Sequence, residues 1–250
     1  METYAIGDIH GNRAALEDLL AVIGPELGSG DQVVFLGDYV DDGPDVAGCI
    51  ERILELRDEG RCGVVGLLGN HEQWMLRSRA DHSKHSWLIG MAGLRTVMSY
   101  SQEAADALGR ELEQAGVLLA YAGRARINYD VFFEAMPERH LDFFLSLQSS
   151  HESPDVLCAH GGIDHTRDLP SKHPAEIFIW GPPGFPDTYG GTKPVVYGHH
   201  NNAVIDGAGW PGPRIGDNAT FGIDTIRHGV LTAMRFPDQR VFQSGRFLPS

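Results

Sequence analysis

Two stretches decide how the chain is read: Ala5-Ile6-Gly7-Asp8-Ile9-His10-Gly11 and Phe35-Leu36-Gly37-Asp38-Tyr39-Val40-Asp41. In each, an apolar run of the kind that forms a buried strand stops at a glycine and passes into metal-binding side chains. Three further runs end the same way: Leu67-Leu68-Gly69-Asn70-His71-Glu72, Cys158-Ala159-His160-Gly161-Gly162 and Val196-Tyr197-Gly198-His199. Ligands of open α/β sheets bind beyond the carboxyl ends of the strands, so five such endings can converge on one site. Asp8 and His10 stand two residues apart, which in extended chain puts both side chains on one face. Imidazole and carboxylate oxygen suit manganese, iron and zinc, and a carboxylate can bridge two ions.

Between these endings the first 70 residues alternate strand and helix, with helices expected over Arg13–Ile23 and Asp45–Glu59. This is the rhythm of a helix-covered sheet. From 73 to about 150 the pattern turns mostly helical, with segments at Gln73–Arg79, Glu103–Ala120 and Pro137–Leu147. Short strands return at Val156–Ala159, Val195–Tyr197, Thr220–Ile223, Val230–Arg235 and Arg240–Gln243, and Gly181–Gly191 reads as a loop. Residues 1–250 are therefore expected to form a single domain with a helical insertion at about 73–150. His82, His85, His140, His151, His165, His173 and His228 lack motif spacing and read as surface residues.

The balance of 20 Lys and Arg against 34 Asp and Glu, a formal charge of −14, argues against an extended nucleic-acid surface. Three cysteines without metal-binding spacing fit a reducing compartment. No apolar run approaches the roughly 20 residues that span a bilayer, so a cytoplasmic location without membrane contact is expected.

The series GDIHG, GDYVD-x-GP, GNHE, HGG and GH, spanning Gly7 to His199, resembles the calcineurin-like metallophosphoesterases. Within them it is most similar to the phosphoprotein (serine/threonine) phosphatase family and its small bacterial members. The resemblance implies an α/β fold, a four-layer αββα sandwich of two packed mixed sheets. It further implies two divalent transition-metal ions, manganese first, with iron or zinc as alternatives. Asp8, His10 and Asp38 would hold one ion, with Asp38 bridging, and Asn70, His160 and His199 would complete the second. His71 matches the catalytic histidine that protonates the leaving oxygen, and Asp41 the acidic residue that orients it. The implied chemistry is direct attack on phosphorus by metal-activated hydroxide, without a phosphoenzyme.

Two positions depart from that pattern, one of them Ile179-Trp180-Gly181-Pro182, where relatives carry a second arginine after the tryptophan. Asp42 stands where the phosphatases carry a phosphate-gripping arginine, which reverses the local charge. Arg13, His200 and Arg214 are candidates to contact substrate in its place, with Arg95 and Lys193 as further cations. Phosphate monoesters, including phosphoserine and phosphothreonine in proteins, are the first expectation for the substrate. The alternative is a phosphodiester or a dinucleoside polyphosphate, because a diester phosphate carries less charge and depends less on an arginine clamp. The remaining alternative is a metal-binding module without turnover.

Overall fold

The computed structural model describes residues 1–166, 175–202 and 211–247. In chain order, β1 (Thr3–Ile6), α1 (Arg13–Ile23), β2 (Gln32–Phe35), α2 (Val46–Asp58) and β3 (Gly63–Gly66) form the opening βαβαβ unit. Seven helices follow: α3 (Asn70–Ala80), α4 (Ser86–Gly90), α5 (Gly93–Tyr100), α6 (Gln102–Ala115), α7 (Val117–Tyr121), α8 (Asp130–Phe133) and α9 (Glu138–Leu145). Then come β4 (Ser150–Glu152), β5 (Leu157–Ala159), α10 (Ala175–Trp180), β6 (Val195–Tyr197), β7 (Arg214–Ile215), β8 (Thr220–Gly222), β9 (Thr232–Phe236) and β10 (Arg240–Gln243).

The strands make two mixed five-stranded sheets, ordered β10-β9-β1-β2-β3 and β4-β5-β6-β8-β7. In the first, β1, β2 and β3 run parallel, with Thr3 opposite Gln32 and Gln32 opposite Gly63. In the second, β5, β6 and β8 run parallel. The sheets pack face to face through Ala5, Val34, Leu36 and Leu67 on one side and Val156, Cys158, Val196 and Phe221 on the other. This shared apolar layer aligns the carboxyl ends of both parallel sets.

Helices α1 and α2 cover the outer face of the first sheet through stripes at helical spacing: Ala15, Leu16, Leu19, Leu20 and Ile23, then Val46, Cys49, Ile50, Ile53 and Leu54. Their starts are set by side-chain caps, Asn12 accepting from Ala15 N and Asp45 from Gly48 N. Phe178 of α10 belongs to the apolar cluster on the outer face of the second sheet. The expected αββα layering is thus the observed one.

The helical stretch differs from expectation in detail. The single helix expected over Glu103–Ala120 is two, because Gly116, at φ +78° and ψ 127°, takes a backbone conformation that favours glycine and ends α6. Three of the histidines read as surface residues are buried. His85 bonds Tyr129 Oη and the Ala125 carbonyl, His140 bonds Tyr100 and Glu51, and His228 packs in the turn before β9. An isolated histidine carries no sequence signal separating a buried hydrogen-bonded ring from a solvated one. His173 lies outside the described residues.

Candidate active site

The residues following β1, β2, β3, β5 and β6 meet between the two sheets. His160 Nδ1 donates to the Leu36 carbonyl at 2.9 Å, tying the end of β5 to that of β2. Both Ile9 N and His10 N donate to the Asp38 carbonyl, at 3.1 and 2.9 Å. The turns are tight enough that five non-glycine residues hold positive φ: His10 (+44°), Asp38 (+51°), Asp41 (+71°), Asp42 (+57°) and His199 (+59°). Each such residue is disfavoured by about 1–2 kcal/mol, so the surrounding bonds must impose the conformation. At Gly37, φ +110°, a Cβ would strike Gly69 N at 2.7 Å and His160 Nδ1 at 2.9 Å, so only glycine fits.

Glu72, which sequence reasoning recorded only as part of its motif, holds these turns. Its carboxylate accepts from Asp38 N (2.9 Å), Tyr39 N (2.8 Å), Val40 N (3.1 Å) and Gly69 N (3.1 Å). A glutamate at the third position of a helix, one turn after a Gly, is the half of a capping box that could have been read from GNHE.

Among the described residues, two groups of ligand atoms lie within 4.8 Å of one another: His10, Asp38 and His71, and Asp38, His160 and His199. Asp38 belongs to both. Asn70 Oδ1 sits between the two histidines of the second group, 3.0 Å from His160 Nε2 and 2.8 Å from His199 Nδ1. The Asp8 carboxylate accepts from His199 N at 3.0 and 3.2 Å, and His71 joins His10 and Asp38 in the first group.

The chemistry of the donors fits divalent cations. The Val40 carbonyl accepts from His10 Nδ1 at 2.9 Å, and the Leu36 carbonyl accepts from His160 Nδ1, so both rings present Nε2 inward. Burial, and then the charge of His71, push the His10 pKa down to about 4. Burial and the charge of His160 take His199 down to about 3. Both are therefore neutral at neutral pH, the form that binds a metal. Burial opposes the charge of Asp38, but His160, His71 and His10 hold its pKa well below the usual carboxylate range. Asp8 is pushed well above that range by burial and by Asp224 and Asp38, and Asp224 up to about 7 by burial and Asp38. Asp224 Oδ1 is buried with no hydrogen-bond partner among the described residues. Buried carboxyls crowded to this degree call for cations among them.

Beside this cluster His71 Nδ1 lies 2.7 Å from Asp41 Oδ2, and His71 Nε2 lies 3.8 Å from Asp38 Oδ2. The helical stretch fixes Asp41: Trp87 Nε1 of α4 donates to both its oxygens at 3.0 and 3.1 Å, and Thr96 Oγ1 of α5 donates to Oδ1 at 2.6 Å. Burial alone would lower the His71 pKa, but Asp38 and Asp41 raise it to about 9.

The cations expected near the substrate scatter. Arg13 is committed to Glu17 on α1 and Asp45 at the start of α2, Lys193 to Glu152, and Arg214 to Asp187. His200 Nε2 donates to the Gly161 carbonyl at 2.8 Å, its ring 5.1 Å from that of His199. Arg95 Nη1 donates to the Asp42 carbonyl at 2.7 Å. The Asp42 carboxylate pairs with a residue absent from those expectations, Arg227, whose Nη2 lies 2.5 Å from Oδ2. Trp180 closes the other side, its ring 5.5 Å from that of His199.

A two-sheet α/β sandwich that gathers histidines and aspartates at paired strand ends defines a metallophosphoesterase, and this chain belongs to the calcineurin-like phosphoesterase family, which its residues 1–217 match. The enzyme is accordingly a phosphoric ester hydrolase. It is similar to the asymmetrical bis(5'-nucleosyl)-tetraphosphatase of Oceanobacillus iheyensis, with 27% identity over 96% of this chain and 90% of that relative. The symmetrical bis(5'-nucleosyl)-tetraphosphatase of an Acidovorax species is 43% identical over 30% of this chain and 25% of its own length. Serine/threonine-protein phosphatase 1 of Salmonella typhimurium is 33% identical over 34% of this chain and 37% of its own. A crystal structure of a candidate diadenosine tetraphosphatase shares the fold with a TM-score of 0.62, at 22% identity, over 97% of this chain and 92% of that one. No helix among the described residues is long and apolar enough to cross a membrane.

Proposed function

We propose that this phosphoesterase hydrolyses dinucleoside polyphosphates, cleaving within the phosphate chain of a dinucleoside tetraphosphate, with two divalent transition-metal ions as cofactors, manganese foremost. The observation that carries the substrate is the likeness to a bis(5'-nucleosyl)-tetraphosphatase across 96% of the chain. Asp42 in place of the phosphatases' arginine supports it, because a singly charged internal phosphate depends less on an arginine clamp than a phosphomonoester dianion does. The phosphoprotein reading, first from the motifs, draws on a likeness confined to 34% of the chain.

In this reading Asp8, His10 and Asp38 hold one cation and Asn70, His160 and His199 the other, with Asp38 shared. When bound, such a pair supplies positive charge for the phosphate oxygens and an acidified water. The chain's own part follows from its bonds. Asp41, held by Trp87 and Thr96, accepts from His71 Nδ1 and so aims Nε2 at the Asp38 cluster. His71, hydrogen-bonded through Nδ1 to the Asp41 carboxylate, is placed to give a proton from Nε2 to the leaving phosphate oxygen. Trp180 and His200 wall the His199 side.

The test is a comparison of kcat/KM for diadenosine tetraphosphate, p-nitrophenyl phosphate and a phosphoserine peptide with Mn-loaded protein, with products separated by chromatography. The tetraphosphate should lead. Two ADP would mark a symmetrical cut, ATP with AMP an asymmetrical one. A phosphopeptide turned over more efficiently than the tetraphosphate would overturn the proposal.

A further inference from the structure

We infer that Arg227 is the recognition residue for the phosphate adjoining the one attacked, held in place for that task by Asp42. Arg227 lies in the 3-10 turn Ile226–His228, two residues beyond the Asp224-Thr225 segment that β8 delivers to the site. Its guanidinium touches Asp42 Oδ2, which in turn is 4.0 Å from His10 Nδ1. The other ring nitrogen of His10 faces Asp38 at 3.8 Å. Arg227 therefore stands on the outer side of His10, one imidazole ring away from the cluster, and not over it. A cavity of about 210 Å³ opens there, lined by His10, Asn12, Asp42, Gly43, Ile226 and Arg227.

That position suits a neighbouring phosphate better than the reacting one, because a phosphate chain leaving the cluster past His10 enters this cavity. The pairing itself argues for recognition. Arg227 is 48% and Asp42 27% exposed, and so open an ion pair contributes only about 0–1 kcal/mol to stability. The contact with Asp42 runs through Nη2 alone and leaves the remaining N–H donors of the planar fork for an anion. Of the other nearby arginines, Arg13 is drawn to Glu17 and Asp45 and Arg95 to the Asp42 carbonyl, and neither lines this cavity. Asp42, which on sequence alone only removes a phosphate clamp, thus orients another one borne by a different element.

The inference rests on the polyphosphate reading above for the class of substrate, and nucleotide binding tests the subsite separately from turnover. AMP and ADP, which differ by one phosphate, would be titrated calorimetrically into Mn-loaded protein at saturating free Mn²⁺. Wild type should bind ADP about tenfold or more tighter than AMP, the size of one charge-assisted interaction. In Arg227→Ala that advantage should fall to about threefold or less, and Arg227→Lys should restore part of it, since the charge returns without the fork. Asp42→Asn, which removes the charge that orients Arg227, should reduce the advantage, though less than Arg227→Ala does. A wild-type ratio near one, or an unchanged ratio in Arg227→Ala, overturns the inference, and a variant altered only in its unfolding temperature does the same by reducing the pair to a brace. If the ratio collapses as expected while diadenosine tetraphosphate is not hydrolysed, the subsite stands and the proposed substrate fails.

Discussion

Replacing Glu72 by Gln should loosen the metal site from behind. The carboxylate is fully buried and accepts four backbone N–H groups, two on each oxygen. Glutamine keeps one acceptor oxygen and turns an NH₂ group against the other two donors. Losing two bonds to a charged group removes about 3–6 kcal/mol, at about 1.5–3 kcal/mol each. Part of this returns, because burial and the charge of Asp38 hold the Glu72 pKa at about 7 against an ordinary 4.5. Keeping that carboxylate ionised therefore opposes folding by about 3 kcal/mol, which the neutral amide recovers. The net loss should be about 2 kcal/mol, or roughly 4–8 °C in unfolding midpoint for a chain of this size. Because three of the four donors belong to Asp38, Tyr39 and Val40, manganese content should fall as well. Differential scanning calorimetry of the metal-free variant and elemental analysis of the metal-loaded one measure the two effects. An unfolding midpoint within about 1 °C of wild type together with full metal content would show that the four bonds do not hold the site.

Two further substitutions separate the roles within the cluster. His71→Gln should keep near-wild-type manganese while lowering turnover by about 100-fold or more, the range of a lost general acid; loss of metal instead would make His71 a ligand. The same variant has a pH signature in metal-free protein. The folded pKa of about 9 exceeds the ordinary 6.5, so the stabilisation from His71 is complete below about pH 6.5 and is lost as pH rises through 9. That contribution is at most about 3 kcal/mol, and thermal melts across pH 6–10 should show its slope flattened in His71→Gln. Asp38→Asn should reduce occupancy of both metals, since Asp38 alone is common to the two donor groups; an unchanged content would contradict a bridging role.

Much of the site could be read along the chain because its chemistry is carried by residue type and strand position. Strands β1, β2, β5 and β6 each run straight into the residues they position, and a short apolar run ending in Gly-Asp or Gly-His marks that junction locally. The capped, striped helices α1 and α2 were legible for the same reason. The four-layer arrangement followed from resemblance, and the face-to-face packing of Val34 and Leu36 against Cys158 and Val196 accounts for it physically. The burial of His85, His140 and His228 was not legible, since it depends on surroundings that sequence neighbours do not supply, whereas α6 ends at Gly116, a local stop signal.

Residue identity and order along the chain pointed to metal-binding chemistry, because that depends on side-chain type at the ends of strands, while the pairing of His71 with Asp41 followed from resemblance. Tertiary structure alone decided how that chemistry is held and what surrounds it. Glu72 reaches back over 34 residues to Asp38, Trp87 and Thr96 reach 46 and 55 residues to Asp41, and Arg227 meets Asp42 from the far end of the chain. Such partners meet only after two sheets and a set of helices have packed. The left-handed backbone at His10, Asp38, Asp41 and His199 belongs with them, since aspartate and histidine tolerate it but the assembled turns impose it here.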